Sequence, residues 1–360
     1  MDIVIYGAQG IALGAYKAIK EIAPEKNVLC FLVTKRVNSA STLDGLSVRE
    51  LEEFVSSLDA QNKESIEVLI GTPESVMEDI EKSLDAAGLS NHQRLDSMRW
   101  ADMMEKAFHI NKRFIPLSDY ECGTETANIN VYMAKFWKDK VLESKEVVPT
   151  YMIPIQVGTA LTDQRVAEVC DDVGENISVK NVNYSELTAL YWMWKNWLLS
   201  NSEDCDSYYG LAHYRRYLQL SDDDLRRLKH NNIDVVLPYP MPYEPNIEAH
   251  HERYLDITEW AAVLQTLEEL QPEHAVGLKD ILRQGYMYNY NIIVAKRNVL
   301  ADYCAWLFPI LFRIEEIVDP DGTKKPNRYI GYIGETLETL YFMHNKQHLQ
   351  IAHAGCKFLV

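Results

Sequence analysis

The chain has 360 residues, 47% of them hydrophobic and 25% charged, the balance of a soluble globular protein with no compositional case for disorder. Its formal net charge of −17 argues against a broad surface attractive to nucleic acid or anionic lipid, so no nucleic-acid partner is expected and an anionic ligand must be met by a local basic pocket. The length suits two domains at roughly 150 residues each. No apolar run approaches the ~18 residues of a membrane span. The six cysteines, Cys30, Cys122, Cys170, Cys205, Cys304 and Cys356, carry no CxxC pair and read as reduced thiols of a cytoplasmic protein.

Ile3-Val4-Ile5-Tyr6 is a short apolar strand that runs straight into the turn Gly7-Ala8-Gln9-Gly10, with no signal-peptide pattern before it, and a helix follows over Ile11 to Ile22. Further apolar runs at Val28 to Val33 and Ile66 to Ile70 predict strands, the latter leading through Thr72-Pro73-Glu74 into a helix whose first turn suits proline. This alternation, ending near Phe114 to Leu117, predicts a small Rossmann-like parallel sheet over residues 1–120. Gly7, Gly10 and Gly14 do not have the GxGxxG spacing, and the second strand ends in Thr34-Lys35-Arg36 rather than an acid for a ribose. Dinucleotide binding and a purely structural turn both stay open there. Residues 121–129 are polar and read as a linker. Over 130–360 the pattern predicts strands at Asn130 to Phe136, Thr150 to Val157, Tyr208 to Leu211, Ile233 to Leu237 and Asn291 to Ala295. It predicts helices at Tyr184 to Leu199, Val299 to Ile317 and Ile333 to Met343. The fold class is therefore α/β.

Two stretches of this second part carry chemistry. The polar run Asp171 to Thr188 feeds the aromatic helix Ala189 to Asn196; Asn183 or Ser185 could cap that helix, whose free N–H groups would favour an anion such as a diphosphate. Asn176, Asn181 and Glu186 are site candidates there, whereas Trp192 and Trp194 read as core. Tyr208 to Tyr217 is a strand ending in His213-Tyr214-Arg215-Arg216. Ligands of open α/β sheets sit at such carboxyl ends. Arg215 and Arg216 can present planar forks to phosphate oxygens, and His213 can donate a hydrogen bond or move a proton.

Taken in order, four blocks resemble the bacterial capsular and exopolysaccharide biosynthesis glycosyltransferase family long described only as a domain of unknown function. They are Pro154-Ile155-Gln156-Val157-Gly158; Asp172 to Asn181; Tyr184 to Asn196; and Tyr209 to Tyr217. The likeness continues through Asp234 to Pro238, Tyr288 to Val294, Tyr303 to Phe308 and Arg328 to Glu335, covering roughly residues 130 to 345. Residues 1 to 117 also look like the small nucleotide-binding-like domain at the front of some sugar acyltransferases and polysaccharide enzymes. The resemblance implies a GT-A-like nucleotide-sugar transferase domain, a nucleotide-sugar donor with a UDP-sugar first among candidates, and a glycan or lipid-linked glycan acceptor. Some members are linked to galactofuranose transfer, so galactose or galactofuranose is the sugar implied. Such an enzyme would act from the cytoplasm, at most in peripheral contact with the membrane.

On this reading Gln156, Gly158, Asp172, Asn176, Asn181, Tyr184, His213, Tyr214, Arg215 and Arg216 are donor-binding candidates, and Asn289 and Asn291 acceptor-binding candidates. Glu335, then Glu186, are candidates for the base an inverting transfer needs, with His213 a third catalytic candidate. GT-A enzymes hold a divalent metal with Asp-x-Asp, but no such motif follows Tyr208 to Leu211. No cofactor is therefore assigned, and the arginines are expected to do the metal's work on the departing diphosphate. Asp171 and Asp172 keep a metal open as the alternative. The chain departs from the family in carrying Phe136-Trp137, not a histidine, before Lys138-Asp139-Lys140, and in the proline-rich Tyr239 to Pro245. A catalytically silent, sugar-nucleotide-binding component of a polysaccharide assembly complex is the alternative function, and an oxidoreductase or acyltransferase working through the first domain is the third.

Overall fold

The computed structural model describes residues 2–36, 40–144, 146–199 and 206–360, so Cys205 lies outside the described residues. The other five cysteines are free thiols, Cys30 and Cys304 being buried. The chain forms two compact units: Met1–Ile115 with Met241–Pro245 and Val360, and Pro116–Pro240 with Asn246–Leu359.

The first unit is built on strands β1 (Asp2–Tyr6), β2 (Asn27–Val33), β3 (Thr42–Leu43), β4 (Leu46–Glu50), β5 (Glu67–Ile70) and β6 (His92–Arg94), in the order β3-β4-β2-β1-β5-β6. All neighbours run parallel except β3 with β4. Because side chains alternate along a strand, the apolar run of β1 feeds two cores. Ile3 and Ile5 join Leu13, Tyr16 and Ile19 of α1 (Gly10–Ile22). Val4 and Tyr6 face Leu51 and Phe54 of α2 (Leu51–Ser56) and, after the short α3 (Ala60–Ser65), Met77 and Leu84 of α4 (Met77–Ala86). Each such buried side chain is worth about 1.5–3 kcal/mol. Helix α5 (Ser97–Asn111), capped by Asp96, lies against α1.

The second unit is a mixed sheet of β7 (Ile129–Lys135), β8 (Met152–Gln156), β9 (Val169–Cys170), β10 (Tyr208–His213), β11 (Arg216–Leu218), β12 (Val235–Pro238), β13 (Ile293–Lys296), β14 (Ile351–Ala354) and β15 (Cys356–Phe358). Its order is β14-β12-β13-β10-β7-β8-β9, with β11 paired to β10 and β15. Strands β10, β7, β8 and β9 are parallel; β13 runs antiparallel to β10 and β12. Val131, Met133, Tyr208, Val236 and Val294 share a core with Leu225 and Leu228, and Ala127 beside them is buried, its N–H donating to the Leu225 carbonyl.

The helix expected over Tyr184 to Leu199 is divided. A short α6 (Asn181–Tyr184) ends at Ser185, whose φ of 51° is left-handed; α7 (Leu187–Met193) follows and closes in a π-turn at Trp194–Leu198. Neither Asn183 nor Ser185 caps α7: its N-cap position is Glu186 and makes no side-chain cap bond. Asn183 instead accepts the Asn327 N–H and Ser185 Oγ accepts from Arg328 Nε. Helices α8 (Asp222–Asn231), α9 (Ile247–His251), α10 (Ile257–Leu270), α11 (Pro272–Arg283), α12 (Arg297–Val318) and α13 (Tyr329–His344) complete the unit, α12 packing on α10, α13 and α7. Among the described residues no helix is long and apolar enough to cross a membrane.

Candidate functional site

The carboxyl ends of β7, β8 and β10 open on one cavity of about 670 Å³. Ala134, Phe136, Lys138 and Asp139 reach it from the end of β7, Val157 from β8, and His213, Tyr214 and Arg215 from β10, with Arg216 opening β11. From the helical side come Asn181, Val182, Ser185 and Glu186, Tyr290 ahead of β13, and Arg328, Tyr332 and Glu335 at the start of α13. Open α/β sheets bind their ligands in the crevice outside the carboxyl ends of the strands.

The wall is cationic and largely uncommitted. Lys138, Arg215 and Arg216 make no ion pair among the described residues. Arg216 is held by aromatic faces, its guanidinium carbon 4.3 Å from the Tyr290 ring centre and 5.1 Å from that of Phe358, which fixes the fork without neutralising it. Lys138 sits 4.4 Å above the Trp137 ring. Arg328 donates to Ser185 Oγ at 2.9 Å and lies 4.0 Å from Glu186 Oε2.

The same cavity holds two carboxylates, each bound by an amide. Asn291 Nδ2 donates to Glu186 Oε1 at 2.6 Å and to the Gly331 carbonyl at 3.2 Å; Asn289 Nδ2 donates to Glu335 Oε2 at 3.1 Å. Burial, and then the charge of Glu186, push the Glu335 carboxyl up to about 7, against the opposing pull of Asn289, a backbone bond and Arg216. His213 Nε2 lies 2.6 Å from the Tyr290 carbonyl, so that nitrogen carries the proton and Nδ1 is free to accept. Burial lowers the imidazole's basicity, only partly offset by Glu186, whose Oε1 is 3.7 Å from Nε2. Burial also raises the Asp139 carboxyl, which accepts the Phe136 N–H.

Of the residues singled out in the sequence, Asn181, Glu186, His213, Tyr214, Arg215, Arg216 and Glu335 converge on the cavity. Asn289 and Asn291 lie behind it, holding the carboxylates. Gln156, Gly158, Asp172, Asn176 and Tyr184 are not on its wall. Gln156 is fully buried and closes its own loop through the Gln164 carbonyl and Val166 N–H. Gly158, at φ 63°, turns where a Cβ would meet Asn181 at 2.9 Å. Asn176 ties the Asp172 and Gly174 carbonyls together, and the Tyr184 hydroxyl, fully buried, donates to Glu315.

Of the two acids that kept a metal open, Asp171 is committed to protein donors. Its buried carboxylate is filled by the Gly158 and Thr159 N–H groups and the Ser178 and Thr188 hydroxyls, leaving no lone pair facing an ion. No group of three or more His, Cys, Asp or Glu among the described residues is placed to hold a metal. The residues not anticipated, Phe136, Lys138, Asp139, Tyr290, Arg328 and Tyr332, follow strand ends or open a helix. The rule that placed His213 to Arg216 applies equally to the residues just beyond β7.

The glycines of the first unit are used in packing. A Cβ on Gly7, at φ 122°, would meet the Gly71 carbonyl at 2.5 Å; one on Gly10 would meet Met241 Cγ at 2.5 Å; one on Gly14 would meet the Trp100 indole at 2.9 Å. The space over the start of α1, where a pyrophosphate would approach, is filled by Met241 and Pro242 of the same unit.

The chain belongs to the family described as a domain of unknown function, DUF4422, whose profile matches residues 141–346, more than half of the chain. Among solved structures it is similar to the apo structure of WbbM, a bifunctional glycosyltransferase, at 27% identity and a TM-score of 0.54 over 64% of this chain. It spans 45% of that protein. Its α/β architecture is thus the GT-A-like one expected. A core-mannan synthase A from Aspergillus fumigatus in its Mn/GDP form matches at 11% identity and a TM-score of 0.29, over 68% of this chain and 77% of that one, too loose a likeness to bear on the fold. No curated protein matches the chain.

Proposed function

We propose that this member of the DUF4422 family is a glycosyltransferase that moves galactose or galactofuranose from a UDP-sugar to a growing surface-polysaccharide acceptor. The observation that carries the reading is the gathering, in one cavity at the strand ends, of the cations Lys138, Arg215 and Arg216, free of ion pairs among the described residues, with the carboxylates Glu186 and Glu335. Sugar transfer from a nucleotide develops negative charge on the leaving diphosphate and requires a proton to leave the acceptor hydroxyl. Guanidinium forks match phosphate oxygens in pairs, and Arg216 is already held in place by Tyr290 and Phe358. A carboxyl titrating near 7 matches the base. The rings of Phe136, Tyr214 and Tyr332 offer faces for a base or a sugar. WbbM, named a bifunctional glycosyltransferase, supports the same chemistry.

The test is a panel of nucleotide sugars, with nucleoside diphosphate release followed without acceptor, with and without a chelator. Slow hydrolysis of one or a few donors that survives chelation is expected, and Arg216→Ala should weaken donor affinity roughly tenfold to a hundredfold, the loss of one charge-assisted bond. Saturable donor binding without any hydrolysis would favour the catalytically silent assembly component. Activity that vanishes with chelator and returns only with manganese or magnesium would refute the arginine mechanism.

A further inference from the structure

We propose that the tripeptide Asn289-Tyr290-Asn291 is the positioning element of the cavity, a single turn that sets Glu335, Glu186, His213 and Arg216 relative to one another. The proposal deepens the transferase reading and rests on it for its kinetic consequences. Three successive residues reach four site side chains. Asn289 donates to Glu335, Asn291 donates to Glu186, the Tyr290 carbonyl takes the His213 proton, and the Tyr290 ring lies under Arg216.

The backbone bears this out. Tyr290 and Asn291 stand at φ 74° and 50°, left-handed conformations that a tyrosine rarely adopts, and strain of this kind persists only where the surroundings over-determine it. Here the two amides splay to opposite carboxylates because two consecutive left-handed residues reverse the chain between them. Both asparagines are buried, at 7% and 2% exposure, and each side-chain oxygen lacks a partner while the NH₂ group is used. Neither has an exposed face to offer a sugar, so the role assigned to them in the sequence, acceptor binding, gives way to positioning. Glu186 and Glu335 come from different elements and repel. The Asn289 amide stabilises the charged form of Glu335, which keeps that carboxyl able to lose its proton near neutrality.

The charged and titratable groups around Glu335 are Glu186, Arg216, Glu338 further along α13, and Tyr290; His213 and Arg328 face Glu186. Removing Asn289 takes away a donor to the carboxylate, so Glu335 must hold its proton to higher pH. With Asn289→Ala, the acid limb of the kcat–pH profile for donor turnover is expected to move up by about one unit, the cost of one hydrogen bond to a charge. The donor KM should stay unchanged. A uniform fall in kcat at every pH, or a raised acceptor KM with the limb unmoved, overturns the proposal. A carbon-13 carboxyl titration of Glu335, assigned by its loss in Glu335→Gln, reads the same shift with no substrate present. It therefore separates the two ideas: if wild-type protein turns over no nucleotide sugar the transferase reading fails, yet an upward midpoint in Asn289→Ala still supports positioning and an unmoved one sinks it. Asn289→Ser, smaller and polar, serves as the second variant if the alanine protein does not fold.

Discussion

At the scale of the residue, the base role proposed for Glu335 joins turnover to stability with opposite signs. Its carboxyl titrates at about 7 in the folded chain against 4.5 ordinarily, so between those values the native state keeps a proton that the unfolded chain gives up. The fold therefore loses stability as pH rises through that window and is level above it. Glu335→Gln should raise the thermal unfolding midpoint at pH 8, change it little at pH 4.5, and lower turnover by roughly 10²–10⁴, the usual worth of a general base. Thermal melts at the two pH values with a donor-turnover assay check this; near wild-type turnover removes Glu335 from the chemistry. The convergence of His213, Arg215, Arg216 and Glu335 on one cavity was legible because reactive side chains cluster at a strand end or open a helix. Asp171, Gln156 and Tyr184 were not separable from them in the sequence, since a polar residue in a loop looks the same whether it meets a ligand or the N–H groups of its own turn. Only the partners decide.

At the scale of the element, the glycines of α13 show how a helix makes room for the positioning turn. Asn291 donates to the Gly331 carbonyl, and a Cβ on Gly334 would stand 2.8 Å from Asn291 Oδ1 and 2.8 Å from Leu187 Cδ1. Helix propensity alone makes Gly→Ala in a helix interior favourable by about 1 kcal/mol. Contact with the buried Asn291 predicts the opposite sign. Gly334→Ala should lower both the thermal midpoint and donor turnover, because the methyl group displaces the amide from Glu186; a stabilised, fully active variant would show that Asn291 is free to move. The strands β1, β2, β5, β7, β8, β10, β12 and β13 and the helices α1, α4, α12 and α13 were legible as apolar runs, but α5, α10 and α11 were not expected, and neither was the break at Ser185. Apolar spacing continues through Tyr184 to Leu199, and what divides it is a left-handed turn held by Asn181, which donates to the Ser185 carbonyl at 2.7 Å. Such a turn leaves no trace in a hydrophobic pattern.

At the scale of the molecule, a chain with net charge −17 can bind a nucleotide diphosphate only where cations are gathered at short range, since charges beyond about 8 Å are screened at physiological salt. The second unit gathers four at its cavity, Lys138, Arg215, Arg216 and Arg328. In the first unit the glycine turn that left dinucleotide binding open is instead closed on itself: Gly7 against Gly71, Gly10 against Met241, Gly14 against Trp100. The same feature of sequence, a strand running into glycines and a helix, therefore has a packing cause in the first unit, while the function proposed above puts the ligand chemistry at the strand ends of the second. Ligand-induced stabilisation distinguishes the two, because a ligand at a hundred times its Kd adds about 2.7 kcal/mol to the unit that binds it. Nicotinamide dinucleotides should leave the melting profile unmoved, and a UDP-sugar should raise it in wild type but not when Arg215 and Arg216 are both changed to alanine. A rise with the dinucleotide that persists in the double variant would place a second site in the first unit, and would require Met241 to leave the start of α1 when the ligand arrives.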